Sequence, residues 1–380
     1  MTMELPAIAR IAAALVAALL ISFIATPVVK SIAQMVGAVD VPKDNRRMHN
    51  HPIPRMGGLA IFLGFLLSTL IFVPMSSSMR GMLLGGVIIV ILGIFDDIYA
   101  LPALPKLLVQ IAAALVAVLH GNVIQVLSNP NIFSENPYWT LGSLAVPLSV
   151  IWIVAITNAV NLIDGLDGLA VGVATISSLT MLVIAMLVSE NVVALMMAAL
   201  AGGCIGFMPY NLNPAKIFMG DTGSTFLGFV LATVSIQGLF KFYTIISFAV
   251  PFLMLGLPLF DTCFAILRRL AKGQSPMAPD RSHVHHRLID MGFNQKQAVA
   301  ILYVISAILG LSAVVLTTSG ALKAMVLLCA LCLAGLISGK IFLSHNENHQ
   351  EKTKEKESND HAIESHDDLR DPPGGGEDGP

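Results

Sequence analysis

Acidic and histidine residues follow four of the apolar runs of this sequence, and their types suit phosphate chemistry. Mg²⁺ in proteins is usually held by one or two carboxylates together with phosphate oxygens of a substrate. Cationic side chains can then stabilise the remaining phosphate oxygens. The residues are Asp96 and Asp97 in GIFDDIYA, Asp164 and Asp167 in NLIDGLDG, Asp221 in FMGDTGS, and His283, His285 and His286 in DRSHVHHRL. The candidate cations are Arg46, Arg47, Arg55, Lys106 and Arg281. This set predicts phosphoryl transfer.

Each segment also has a structural interpretation. Asp-Gly sequences form turns, histidines occur in solvated loops, and GDTGS resembles a helix cap, which would also present N–H groups to a phosphate. Two carboxylates at a helix C-terminus oppose the helix dipole, so a metal or a cationic group is expected beside Asp96 and Asp97. We favour the functional interpretation because all of these segments are expected on the same face of the membrane. A purely structural explanation would have to be true of every one of them at once.

Asp261 lies inside the apolar segment GLPLFDTCF. A carboxylate within a membrane span is costly and is a functional hypothesis by default. Two structural alternatives are a pair with Arg268 or Arg269 and a hydrogen bond to a neighbouring helix. We favour a structural role.

The composition predicts an integral membrane protein. Hydrophobic residues make up 55% of the 380 residues and charged residues only 12%, with a mean hydropathy of +0.78. Soluble domains carry roughly 25% charged residues, so a soluble core could not bury this much apolar surface. The net charge of −2 gives no basic excess for nucleic acid. The four cysteines are interpreted as buried apolar residues.

The apolar runs predict an all-α polytopic protein with about eleven transmembrane helices, since each span needs about 20 residues. Residues 121–143 are polar and predict an external loop or a small β-hairpin. Residues 1–342 are expected to form a transmembrane catalytic domain, and residues 343–380 a disordered, charged cytoplasmic tail. The predicted spans are 7–33, 57–75, 81–98, 103–120, 144–161, 168–188, 192–209, 224–240, 244–268, 297–318 and 321–342.

The cationic loop residues predict the orientation in the membrane. Loops after odd-numbered spans hold most of the lysine and arginine, whereas the opposite side holds little beyond Arg80, Lys241 and Lys323. The cationic side is expected to be cytoplasmic. This places the N-terminus outside, the C-terminus inside and all the acidic and histidine segments on the cytoplasmic face.

Five ordered motifs between about residues 42 and 299 resemble a known superfamily, the polyprenyl-phosphate N-acetylhexosamine-1-phosphate transferases (glycosyltransferase family 4). The interrupted histidine run and the eleventh helix resemble its WecA/TagO-like branch, whereas the related MraY enzymes have three consecutive histidines and ten helices. The motifs are PRMGG at 54–58, the Asp pair at 96–97, NAVNLIDGLDGLA at 158–170, FMGDTGS at 218–224 and HVHHRL at 283–288.

The resemblance implies a role for each matching residue. Asp221 would be the principal Mg²⁺ ligand, with Asn161 as a second and Mn²⁺ as a substitute ion. Asp96 would engage or deprotonate the lipid phosphate, supported by Asp97, and Lys106 would face a phosphate. Asn211, Asp164 and Asp167 would line the nucleotide site, and His283, His285 and His286 would contact the diphosphate or the sugar.

The activity that the resemblance implies is transfer of N-acetylglucosamine-1-phosphate from a UDP-sugar to undecaprenyl phosphate, at the cytoplasmic face of a bacterial inner membrane. The products would be UMP and a lipid-linked sugar diphosphate that initiates cell-envelope polysaccharide synthesis. One alternative is a sibling transferase that uses UDP-MurNAc-pentapeptide or a 6-deoxy-N-acetylhexosamine donor. A more remote one is a lipid or anion transporter. A homodimer is left open.

Overall fold

The computed structural model describes residues 5–41, 51–128, 138–238, 246–273 and 283–319, together with residue 379. These residues, apart from 379, belong to one compact unit, Met1–Ala324. Outside the described residues lie Arg46, Arg47, Arg281, the predicted span 321–342 and nearly all of the predicted tail. The boundary at residue 342 therefore stays a prediction.

Helices form most of the described chain, because apolar segments can satisfy their backbone hydrogen bonds internally only as helices in a membrane. Ten of the predicted spans coincide with helical segments, nine of them as single helices. The helices are α1 (Leu5–Met35), α2 (Gly58–Phe72), α3 (Ser77–Tyr99), α4 (Ala103–Leu119), α5 (Ala145–Leu162), α6 (Leu169–Leu187), α7 (Asn191–Asn211), α8 (Gly220–Gly238), α9 (Ile246–Met254), α10 (Gly256–Ala271), α11 (Val284–Asp290) and α12 (Gln295–Ser319).

Six of the described helices are long and apolar enough to cross a membrane: α1, α3, α5 with the turn before it, α6, α7 and α12. Helices α2 and α4 are apolar but shorter. The protein is thus a multi-pass helical membrane protein, and the count of eleven spans remains a prediction.

The helix pattern differs from the sequence expectation in three places. The predicted ninth span is divided into α9 and α10, which meet at Leu255. The short helix α11 was not expected, because it carries histidines rather than an apolar run. Helix α8 begins at Gly220 rather than near residue 224, so Asp221 lies in its first turn and not in a loop.

Two small antiparallel pairs of strands accompany the helices. Strands β1 (Val39–Asp40) and β2 (Ile53–Pro54) lie between α1 and α2. Strands β3 (Val126–Ser128) and β4 (Tyr138–Thr140) pair in the register Val126↔Thr140. The expected hairpin within 121–143 is therefore confirmed for these strands.

Helix α8 is the centre of the described bundle. Every residue of α8 is buried except Asp221, and a helix that is buried all round belongs inside a larger assembly of helices. It packs against α2, α3, α5 and α6. A Cβ added at Gly58 would lie 1.9 Å from Cα of Gly223, so these two glycines allow α2 and α8 to touch. The one residue of α8 that is not buried, Asp221, lies in its first turn.

Candidate active site

Asp97 caps the N-terminus of α8 from the neighbouring helix α3. Its Oδ1 accepts the N–H of Asp221 at 2.9 Å, and its Oδ2 accepts the N–H of Thr222 at 3.1 Å and the Thr222 hydroxyl at 2.7 Å. Arg55 Nε lies 3.4 Å from Oδ1 of Asp97, whose side chain is fully buried. The positive end of α8 and the guanidinium of Arg55 thus supply the positive charge that was expected beside Asp97.

Gly220 makes this cap possible. Its φ of +71° lies in the left-handed region that favours glycine. A Cβ at this position would also lie 2.4 Å from Oδ2 of Asp97. The glycine of the GDTGS motif therefore starts α8 directly against the carboxylate.

Lys106 joins Asp96 to Asp221. Its Nζ donates to Oδ2 of Asp96 at 2.7 Å and lies 3.3 Å from Oδ2 of Asp221. Asp96 also accepts the N–H of Leu101 at 2.7 Å, which fixes its carboxylate at the turn between α3 and α4. The Asp221 side chain keeps 23% of its surface exposed, against 5% for Asp96. Two carboxylates from distant parts of the chain thus share one cation where α8 meets solvent.

Asn161 orients Asp221. Its amide nitrogen donates to Oδ1 of Asp221 at 3.0 Å and to the hydroxyl of Ser224 at 2.8 Å. Since both bonds use the nitrogen, Oδ1 of Asn161 is left as an acceptor, and it has no hydrogen-bond donor within the described residues. Ser224 was not expected in the site, although it belongs to the GDTGS motif.

The two acidic residues of the DGLDG segment have different surroundings. Asp167 accepts Nδ2 of Asn213 at 2.9 Å and the N–H of Ala215 at 3.1 Å, so it fastens the segment that follows α7. Asp164 accepts no hydrogen bond from the described residues. Burial, and then the charges of Asp221 and Asp97, raise the pKa of Asp164 to about 8. Of the two carboxyls, Asp164 is the one available to a substrate.

Asn211 also holds the loop rather than presenting a free side chain. Its Oδ1 accepts the N–H of Gly168 at 3.2 Å, and its Nδ2 donates to the carbonyl of Ile217 at 3.0 Å. Tyr303 on α12, which sequence reasoning missed, donates its hydroxyl to the carbonyl of Gly168. A tyrosine inside an apolar run gave no signal for this contact.

The histidine segment packs against the DGLDG segment. The ring of His283 is nearly parallel to that of His285, with centroids 5.8 Å apart, and His285 lies 4.3 Å from His286 by the same measure. A Cβ at Gly165 would lie 2.3 Å from Nε2 of His285, so the ring covers this glycine directly. Burial lowers the pKa of His285 to about 4, so its ring is neutral at physiological pH.

Eight of the predicted residues thus fall into two groups. Asp96, Lys106, Asn161 and Asp221 form one hydrogen-bonded cluster, with Asp164 close enough for its charge to interact with that of Asp221. Asp97, Asp167 and Asn211 are each occupied by contacts that hold the surrounding turns. Arg281 lies outside the described residues.

Comparison with known proteins identifies the family. Residues 79–239 match the model of glycosyl transferase family 4. A protein of Bacillus subtilis (strain 168), named probable undecaprenyl-phosphate N-acetylglucosaminyl 1-phosphate transferase, is 43% identical over 311 residues, which cover 82% of this chain and 86% of the relative. The chain belongs to glycosyl transferase family 4.

Two further relatives of this family 4 transferase differ in the substrates that their names give. The decaprenyl-phosphate N-acetylglucosaminephosphotransferase of Mycobacterium tuberculosis (strain ATCC 25618 / H37Rv) is 35% identical over 319 residues, covering 75% of this chain and 77% of the relative. The phospho-N-acetylmuramoyl-pentapeptide-transferase of Staphylococcus aureus (strain JH9) is 29% identical over 317 residues, which cover 77% of this chain and 95% of the relative. The expected superfamily is confirmed.

The residues around Asp221 in this family 4 transferase fit a hard divalent cation that a substrate helps to hold. The described residues contain no group of three or more His, Cys, Asp or Glu side chains with metal-binding geometry. Mg²⁺ needs no such cage, because it commonly uses one or two carboxylates together with substrate phosphates. Asp221 and Asp96 offer carboxylate oxygens, and Asn161 offers an amide oxygen. Lys106 between the two carboxylates marks a position that favours positive charge.

Proposed function

We propose that this family 4 transferase moves N-acetylglucosamine-1-phosphate from a UDP-sugar to undecaprenyl phosphate. The products are UMP and undecaprenyl-diphosphate-linked N-acetylglucosamine. The observation that carries the proposal is the bridge of Lys106 between Asp96 and Asp221, at the solvent-reached end of an otherwise buried helix. A cation flanked by carboxylates, at the end of a membrane-embedded bundle, suits a diphosphate donor from water and a phosphate acceptor from lipid.

The reaction is a substitution at the phosphorus that carries the sugar. An oxygen of the lipid phosphate forms the new P–O bond, and the bond to the bridging oxygen breaks, so UMP leaves with the electron pair. A phosphomonoester has a second pKa near 6, so little deprotonation of the acceptor is needed at neutral pH. Asp96 therefore orients the acceptor headgroup through Lys106 rather than removing a proton. Lys106 offsets the charge on the phosphate oxygens.

Mg²⁺ is the proposed cofactor, held by Asp221 with Asn161 and donor phosphate oxygens, and Mn²⁺ is a proposed substitute. When bound, the ion neutralises diphosphate charge. Arg55 is proposed to contact the same phosphates, because its guanidinium lies beside the cap of α8. Asp164, whose carboxyl accepts no hydrogen bond from the described residues, is proposed to contact the nucleotide. The neutral ring of His285, with His283 and His286, is proposed to line the side of the diphosphate or the sugar.

The proposed setting is a bacterial inner membrane, with the active site and C-terminus cytoplasmic and the N-terminus outside. The nucleotide-sugar donor would then arrive from the cytoplasm. The product would initiate an envelope polysaccharide of the O-antigen, enterobacterial common antigen or teichoic acid type. A homodimer is compatible with this setting, and the reaction itself uses one copy of each residue described.

The sibling activity, transfer from UDP-MurNAc-pentapeptide, has support from the name of the Staphylococcus aureus relative, at lower identity. One assay separates the donors. Purified protein in detergent receives undecaprenyl phosphate, Mg²⁺ and one UDP-sugar at a time, and UMP release is measured. We expect UDP-N-acetylglucosamine to give the fastest release. Preference for the pentapeptide or a 6-deoxy donor would replace the proposed substrate, and no release from any donor would contradict the transferase proposal.

A further inference from the structure

Asp261 connects α10 to the histidine segment. It is buried, with 4% of its side chain exposed, and each of its oxygens accepts one hydrogen bond. Oδ2 bonds Nδ1 of His283 at 2.8 Å, and Oδ1 accepts the N–H of Val284 at 2.9 Å. Of the structural alternatives raised for this residue, the contact with a neighbouring element is the one that the structure has.

The two bonds serve different purposes. The N–H of Val284 is the first of α11, so Oδ1 of Asp261 supplies the cap of that helix. His283 occupies the N-cap position but makes no side-chain cap bond. The imidazole of His283 is therefore not needed to form α11, and its bond to Asp261 requires another explanation.

The bond to Asp261 selects one form of the His283 ring. An ionised carboxylate can only accept a hydrogen bond, so Nδ1 must carry the proton. Nε2 is then the nitrogen left for another partner, and it has none among the described residues. A carboxylate that fixes the tautomer and orientation of a functional imidazole is a recurrent arrangement in enzymes.

The ring of His283 is also joined to the active-site loop. It stacks at 6° on His285, and His285 covers Gly165, the residue next to Asp164. A rotation of His283 would disturb this stack. The orientation set by Asp261 thus extends through two rings to the segment that carries the free carboxyl of Asp164.

We infer that Asp261 is a positioning residue, which holds His283 in the Nδ1–H form so that its Nε2 faces the phosphate groups of the bound substrates. This inference rests on the proposed function. Asp261 does not touch the substrate and acts only through His283. It therefore influences the rate of transfer more than the affinity for the donor.

The test compares Asp261→Asn, His283→Gln and the double variant in the full-length protein. An asparagine can keep the bond to Val284 with its oxygen, but it places an NH₂ group against Nδ1 and forces the proton onto Nε2. We expect kcat for UMP release to fall about 10- to 100-fold, with the donor KM changed much less. The double variant should be no slower than His283→Gln, because Asp261 acts only through that ring.

The matched control is Asp290→Asn, the same chemical change at an exposed position of α11, which should leave kcat unchanged. Thermal midpoints separate positioning from folding, since a structural role would lower the midpoint and make the two effects on kcat additive. Additive effects, or an Asp261→Asn variant within twofold of wild type, would overturn the inference. A wild type that releases no UMP would instead refute the proposed function.

A second measurement does not depend on any variant of Asp261 folding. ¹⁵N spectra of histidine-labelled wild type, with His283 assigned by its loss in His283→Gln, report which ring nitrogen carries the proton. The inference requires the proton on Nδ1. A neutral ring with its proton on Nε2 would overturn it.

Discussion

Asp97 accepts both the backbone N–H and the hydroxyl of Thr222, at 3.1 and 2.7 Å. Its neighbour in the chain, Asp96, instead accepts Nζ of Lys106 at 2.7 Å. Adjacent carboxylates at the end of α3 thus have separate uses. One fixes the start of α8, and the other belongs to the charged cluster that is proposed to bind the substrates.

The first prediction separates these two uses. Asp97→Ala should lower the stability by about 0.5–2 kcal/mol, the usual cost of removing a helix cap, because the N–H groups of Asp221 and Thr222 and the hydroxyl of Thr222 would lose their acceptor. Asp96→Asn should lower turnover strongly and leave stability and donor binding nearly unchanged. Thermal midpoints, UDP-sugar binding and UMP release check this. Equal loss of stability in both variants would contradict the division.

The second prediction concerns Asp221. Asp221→Asn should abolish turnover while expression and thermal midpoint stay close to wild type, because Asp221 is the one residue of α8 that is not buried. UMP release is measured across a Mg²⁺ titration, with Asp290→Asn as the control. If the variant kept most of its activity at every Mg²⁺ concentration, Asp221 would not be the metal ligand.

The third prediction follows from Asp164, whose pKa is raised from 3.8 to about 8 by burial and neighbouring carboxylates. Between these two pKa values the folded protein keeps a proton that the unfolded chain has lost, so stability falls as the pH rises through this window. The Asp164→Asn variant lacks this titration. Its thermal midpoint should match that of wild type at a pH near 3.8 and exceed it by a growing margin as the pH approaches about 8. A constant difference at every pH would refute the assignment.

The fourth prediction is that transfer occurs in one displacement, without a covalent intermediate. Asp97 is occupied by the cap of α8, and Asp96 is held by Lys106 and the N–H of Leu101, so neither is a free nucleophile. Rapid-quench measurement with the donor alone should detect no release of UMP. One equivalent of UMP per enzyme before acceptor is added would establish a two-step mechanism, especially if Asp96→Asn abolished it.

The fifth prediction concerns orientation. Single cysteines introduced near Asn50 and Ser282 should react with a membrane-impermeant reagent only from the cytoplasmic side, and one near Asn131 only from outside. The matched background is a variant in which the native cysteines are replaced. The opposite pattern would place the site away from a cytoplasmic nucleotide-sugar, and it would refute the proposed setting.

The sequence determined the class of protein and the location of the chemistry. Apolar runs of about 20 residues have few alternatives to helices in a membrane, so most helix bounds were predicted to within a few residues. Motifs at the helix ends were expected to meet on one face. The structure joins Asp96, Lys106, Asn161 and Asp221 directly.

Only the tertiary structure decided which of the acidic residues are available. Asp96 and Asp97 are neighbours in the sequence, as Asp164 and Asp167 nearly are, and the residue types within each pair are the same. Their roles depend on which N–H groups other helices bring to them: the first turn of α8 for Asp97, and the segment after α7 for Asp167. Such contacts join residues far apart in the chain, so no local pattern records them. The same holds for Asp261, whose partner His283 directly precedes α11, a helix that no apolar periodicity predicts.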